Sequence, residues 1–183
     1  MNKREVIEDM EEHLRSAHIF QKENRLHLAI MELEAALELC EEYKINKEQR
    51  QTWSLLANIY QDLGRHTKSL ESYKNALTLA EVESEEEQIA HLSRNIADVE
   101  YEIGDLKSSM SHYEKAIKYY RNLSKYSLNY ANTIRGFALL KEKMVDYADA
   151  KKLWKEAKSI YEGLKVETGI KECVSRLKKL DVA

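Results

Sequence analysis

The stretch QRQTWSLLANIYQDLGRHTKSLESYKNALTLAEV, residues 49–82, decides the fold. Its first half is apolar at Trp53, Leu56, Ala57, Ile59, Tyr60 and Leu63, the spacing of one face of an α-helix. Gly64 follows, where left-handed backbone is cheap and a helix stops. The second half carries Leu70, Tyr73, Ala76, Leu77 and Ala80 on one stripe. The segment therefore reads as a helical hairpin. Alanines at helix crossings let the axes approach, and an aromatic one turn away fills the gap beside them.

Working outward, the same hairpin recurs three more times. Ala17, Ala57, Ala97 and Ala138 stand 40, 40 and 41 residues apart, and Ala36, Ala76, Ala116 and Ala157 keep the same steps. Leu33, Tyr73, Tyr113 and Trp154 hold the large apolar position. A fixed period of this size is the signature of a repeat array, a class that builds surfaces for other molecules more often than it does chemistry. The third copy runs Leu92, Ile96, Ala97, Val99, Tyr101, Ile103, then Gly104, then Met110, Tyr113, Ala116, Ile117, Tyr120. Asn24 stands at the turn of the first copy and Val145 at that of the fourth, where Asp146 is placed to cap the next helix.

These residues resemble the tetratricopeptide repeat. Trp53, Leu56, Ala57 and Tyr60, then Ser69, Tyr73 and Ala76, match its two helices. Ile96, Ala97, Gly104, Ser109, Tyr113 and Ala116 match in the third copy, with Glu100 in a tyrosine slot. Phe137, Ala138, Ala150, Trp154 and Ala157 match in the fourth, and Ala17, Phe20, Ala29, Leu33 and Ala36 in the first. The repeats are expected over 10–43, 50–83, 90–123 and 131–164, within one domain spanning residues 1–183. The resemblance implies an all-α fold, a right-handed α-solenoid of four hairpins. The period exceeds the usual 34 residues, and the closing proline is replaced by Glu41, Glu81, Arg121 and Glu162. With no proline to stop them, the helices should run past the usual boundary. Such long repeats resemble those of kinesin light chain and of bacterial peptide-sensing regulators. The tail VETGIKECVSRLKKLDVA has an apolar face of Val166, Ile170, Val174, Leu177 and Leu180 and reads as a capping helix over about 166–181, or as a docking helix for a partner.

Composition sets the outer bounds. The 183 residues include no proline, five glycines, eleven tyrosines and two phenylalanines, which points to amphipathic aromatics near the rim of the core. No apolar run approaches the roughly 20 residues a membrane span needs, and the first residues lack the apolar core of a signal peptide, so a cytoplasmic protein is expected. Cys40 and Cys173 are then expected to be reduced structural thiols. Residues 1–90 hold 19 acidic and 11 basic side chains, against 13 acidic and 18 basic in residues 91–183. That is either a pair of solvated faces or a charge dipole that attracts partners, a second copy included.

The chemistry-bearing motifs are missing. There is no phosphate-binding glycine loop, no HExxH and no nucleophile elbow, and the acidic residues fall at surface positions. His13 and His18 are badly spaced for a metal on one helix face, so neither a metal nor a cofactor is expected. No basic stripe interleaved with aromatics suggests nucleic acid. An enzyme is not expected; the expected partner is a protein or peptide. The resemblance implies a groove lined by the first helices. Its slots place Arg15, His18, Gln51, Asn58, Gln61, His91, Arg94, Asn95, Asp98, Tyr101, Arg135 and Glu142 there. Asparagine pairs with a peptide backbone whatever its side chains, and arginine holds a carboxylate by two parallel bonds. Asn58 and Asn95 occupy the two asparagine slots of the family's carboxylate clamp. Its basic slots fall at Ser54, Asn132 and Gly136, none of them basic, so chaperone docking is not assigned. Self-assembly and a peptide-sensing regulator are the competing readings, the second weakened by the lack of an effector domain before residue 10.

Overall fold

A computed structural model describes residues 3–123 and 127–181. The described chain holds α1 (Lys3–Lys22), α2 (Leu26–Tyr43), α3 (Asn46–Asp62), α4 (His66–Val82), α5 (Glu86–Ile103), α6 (Leu106–Leu123), α7 (Leu128–Lys143), α8 (Tyr147–Gly163) and α9 (Glu167–Leu180). No strand occurs among the described residues. The chain forms two compact units, Met1–Ser84 and Glu85–Ala183.

In the first unit α1 pairs with α2, α3 with α4, and α2 packs on α3. The core holds Ala17, Ala29, Ile30, Leu33 and Leu37 against Leu56, Ile59 and Tyr60. Met10, Ala36 and Cys40 form a smaller cluster beside it. In the second unit α5 pairs with α6 and α7 with α8, α6 packs on α7, α9 closes on α8, and α5 also touches α7. Its core is built on Tyr113, Tyr130, Ile134, Phe137, Trp154 and Tyr161. Each unit is thus a stack of hairpins of the α-solenoid kind.

The crossing alanines behave as their spacing requires. Ala57, Ala76, Ala97, Ala116, Ala138 and Ala157 are all fully buried. In two hairpins a serine tightens the crossing further. Ser69 Oγ donates to the Ala57 carbonyl at 2.9 Å, and Ser109 Oγ to that of Ala97 at 2.8 Å. The buried hydroxyl is satisfied without adding bulk, since a serine is one atom larger than an alanine.

The helices do run past the missing prolines. Glu41, Glu81, Arg121 and Glu162 are all helical, and the first helices start early, at Lys3, Asn46, Glu86 and Leu128. What stops α1 to α5, α7 and α8 is a left-handed residue at nearly constant steps. Asn24, Lys44, Gly64, Ser84, Gly104, Val145 and Lys165 all have positive φ, between 55° and 86°. The residue after six of these turns donates back five positions, as Ile45 N does to Cys40 O at 2.9 Å and Val166 N to Tyr161 O at 2.9 Å. This closure satisfies carbonyls that a helix end otherwise leaves open. Asp146 caps α8 as expected, its Oδ1 accepting from Asp149 N at 3.3 Å.

Two expectations are corrected. The acidic residues are not all superficial: Glu100 is 4% exposed, and its carboxylate takes the His112 Nδ1 contact at 2.7 Å. The packed face of α9 also differs in composition. Gly169, Cys173 and Leu180 are buried, Val166, Ile170 and Leu177 lean on the core, and Val174 lies at the margin. Gly169 sits so close to the Tyr161 ring that a Cβ would stand 2.6 Å from it. Only a residue without a side chain lets α9 seat on α8. Both cysteines are free and buried.

Candidate peptide-binding face

The tyrosines of the second helices prove to organise the polar face of the first helices. Tyr73, on α4, is buried and gives its hydroxyl proton to Asn58 Oδ1. Tyr113, on α6, does the same to Asp98 Oδ1. Trp154, on α8, donates its indole N–H to Glu142 Oε1 at 2.5 Å. Tyr161 donates to Asn132 Oδ1 at 2.7 Å. The ring stays in the core and its polar tip reaches the opposite helix, where the acceptor is held in one orientation. These tyrosines are therefore deep core residues with a satisfied tip. Burial, and the Asp98 carboxylate beside it, push the Tyr113 phenol far above its ordinary value.

In the second unit α5 and α7 lie side by side and α9 is tied to α7, so their polar residues share one face. Arg94 Nη2 meets Asp98 Oδ2 at 2.7 Å and Nε meets the same oxygen at 2.8 Å. Arg135 Nε donates to Glu172 Oε2 at 2.6 Å. Arg176 Nη1 reaches Glu142 Oε2 at 3.2 Å. Asn95 Nδ2 lies 3.3 Å from His91 Nε2. Burial, with help from the Arg94 cation, holds the His91 imidazole below its ordinary value, so it is neutral at neutral pH. Lys143 Nζ donates to the Tyr101 carbonyl at 3.0 Å and sits over the Tyr101 ring.

Of the residues assigned from sequence, His91, Arg94, Asn95, Asp98, Tyr101, Arg135 and Glu142 are thus linked within this unit. Arg15, His18, Gln51, Asn58 and Gln61 lie on α1 and α3 of the first unit. There Arg15 pairs with Glu11 at 3.3 Å, and Arg15, His18, Gln51 and Asn58 are exposed. Glu172 and Arg176 were missed because α9 reads as a cap. Their spacing of four with opposite signs repeats Arg94 and Asp98 on α5, and that was the available signal. Gly136 explains why one clamp slot is empty: a Cβ there would lie 2.5 Å from the Tyr113 hydroxyl. The arginines are already paired, so a ligand carboxylate meets competition at each of them.

No helix among the described residues is long and apolar enough to cross a membrane. Among the same residues no group of three His, Cys, Asp or Glu side chains gathers as a metal would need.

The tetratricopeptide-repeat family model matches residues 48–122, a stretch lying within α3 to α6. Two solved structures share the fold. The crystal structure of BtubC (BKLC) from P. vanneervenii is 18% identical, with a TM-score of 0.73 over 98% of this chain and 89% of that one. The apo form of RapI is 16% identical, with a TM-score of 0.83 over 94% of this chain and 70% of that one. At these identities the likeness is one of fold. No curated protein matches the sequence significantly.

Proposed function

We propose that this chain is a non-catalytic scaffold that binds a protein or peptide on the polar face of its first helices. The observation that carries this reading is the row of paired charges and oriented amides on α5, α7 and α9. Arg94 with Asp98, Arg135 with Glu172, and Arg176 with Glu142 leave no uncompensated charge within these pairs. A lone anion would have to break one of them. An extended backbone with side chains of both signs would not, since it offers each pair a second partner. Asn132 and Asn58 accept from buried tyrosines, which leaves their amide nitrogens to donate outward. Chemistry plays no part in this reading, because the polar groups are arranged to pair with one another and none is poised against a nucleophile.

Peptides selected from a phage-displayed random library against the full chain would test it. Arg94→Ala and Arg135→Ala should each weaken the selected peptides by about tenfold, the equivalent of ~1.4 kcal/mol. Both side chains are partly exposed, so circular dichroism melting should shift little. Peptides that bind both variants as tightly as the parent would overturn the assignment.

A further inference from the structure

A second surface lies on the side of the second unit where α6, α7 and α8 meet. There a cleft of about 350 Å³ is lined by Ile117, Phe137 and Leu153, with Lys118, Arg121, Asn122 and Glu114 at its rim. The floor is apolar. Lys118 and Arg121 outnumber Glu114, and Lys118 is exposed. Arg121 is steadied by its Nε bond to the Tyr130 hydroxyl at 3.2 Å. An occupant should therefore present an apolar side chain beside carboxylates.

The chain carries such a feature itself. Val82 is 73% exposed, the most exposed large apolar side chain among the described residues. It ends α4 at the left-handed turn of Ser84, and its neighbours Glu81 and Glu83 are exposed too. Nothing in the helix packing requires a valine there. We propose that the Glu81–Val82–Glu83 corner of one copy seats in this cleft of a second copy. Val82 would cover Ile117, Phe137 and Leu153, and the glutamates would face Lys118 and Arg121. The uneven charge of the two halves of the chain favours the same encounter. The two surfaces differ, so each copy carries one corner to give and one cleft to fill. One corner in one cleft covers less than a stable interface needs, so the association is weak and salt-sensitive.

Sedimentation equilibrium of the full chain, at rising protein concentration and at low and high salt, tests the proposal. The average mass should climb above that of the monomer at low salt and return towards it at high salt. Val82→Ser and Lys118→Glu should each weaken the association, the second by about tenfold. Glu83→Lys combined with Lys118→Glu should restore much of it, because the pair is then reversed. Arg94→Ala, on the other face, should leave it unchanged, which separates this surface from the proposed peptide-binding face. A monomer at every concentration, or an association indifferent to Val82→Ser and Lys118→Glu, overturns the proposal.

Discussion

Val145 ends α7 with φ of 62° and an exposed side chain. A β-branched residue is poorly suited to that backbone, because its Cβ substituents crowd the following carbonyl. Glycine relieves the crowding but loses more freedom on folding. Val145→Gly should therefore stabilise the protein by about 0.5–1 kcal/mol net, seen as a higher melting temperature. Three further glycines should respond to alanine with different signs. At Gly136 and Gly169 a Cβ would meet Tyr113 at 2.5 Å and Tyr161 at 2.6 Å, whereas at Gly163 nothing lies within 4 Å. Gly136→Ala and Gly169→Ala should each cost about 1–3 kcal/mol by overpacking. Gly163→Ala, in a helix, should gain up to about 1 kcal/mol. If all three moved the denaturation midpoint the same way, the close approaches would be wrong. None of this was legible in the sequence. The need for glycine at 136 comes from a ring 23 positions away in the chain, and nothing local announces it. The alanines at 57 and 97 were legible because their need for small size repeats with the period.

His91 belongs to the same scale. Its folded value lies below the ordinary one, so the unfolded chain binds the proton more readily. Stability is then fully present above about pH 6.5 and falls as pH drops through the window below it. Denaturant titrations between pH 7 and 5 should show this decline, and His91→Gln should flatten part of it.

Among the elements, α9 shows which forces hold an end in place. Two ion pairs link it to α7, but Arg135 and Glu172 are 39% and 30% exposed and Arg176 is similar. Pairs so solvated contribute about 0.2–1 kcal/mol each. Buried Leu180 and Cys173, with Ile170 and Leu177 partly covered, contribute more through area removed from water. Glu172→Ala should hence change the melting temperature little, while Leu180→Ala should cost about 2–5 kcal/mol. Deleting residues 166–183 should cost several kcal/mol and expose the side of α8 that carries Tyr161. Hydrogen exchange on the truncated chain should show α7 and α8 losing protection before α5 and α6. Equal protection throughout, in a soluble monomer, would assign α9 to a partner. The existence of α9 and most of its apolar face followed from its spacing. Its part in the polar face did not, because Glu172 and Arg176 acquire meaning only beside Arg135 and Glu142. Helix ends were also hidden, since Lys44, Ser84 and Lys165 are not residues that mark a left-handed turn.

Over the whole molecule, buried phenols and thiols set an alkaline limit. Burial raises Tyr120 and Tyr161 from 10.0 to about 12, and Cys40 and Cys173 from 9.0 to about 11. In each case the folded chain keeps a proton that the unfolded chain gives up first. Their contribution is intact below about pH 9 and is lost as pH climbs through 11 and 12. Unfolding followed by circular dichroism should thus hold steady to pH 9 and then fall steeply. Tyrosine ionisation read at 295 nm should lag for the buried rings until the fold opens. The same burial predicts that thiol reagents modify neither cysteine at neutral pH until denaturant is added. A fast reaction in the native protein would contradict the packing around Met10 and Tyr161.

The bond from Trp154 to Glu142 gives the protein an optical reporter of its own polar face. The indole is fully buried, its N–H is tied to a carboxylate that also holds Arg176, and that guanidinium lies 6.0 Å from the ring. The only other tryptophan, Trp53, sits half-buried in the first unit. With Trp53→Phe as background, emission would come from one fluorophore wired to the junction of α7, α8 and α9. Any occupant that draws Glu142 or Arg176 away would alter its colour and quenching without a label being attached.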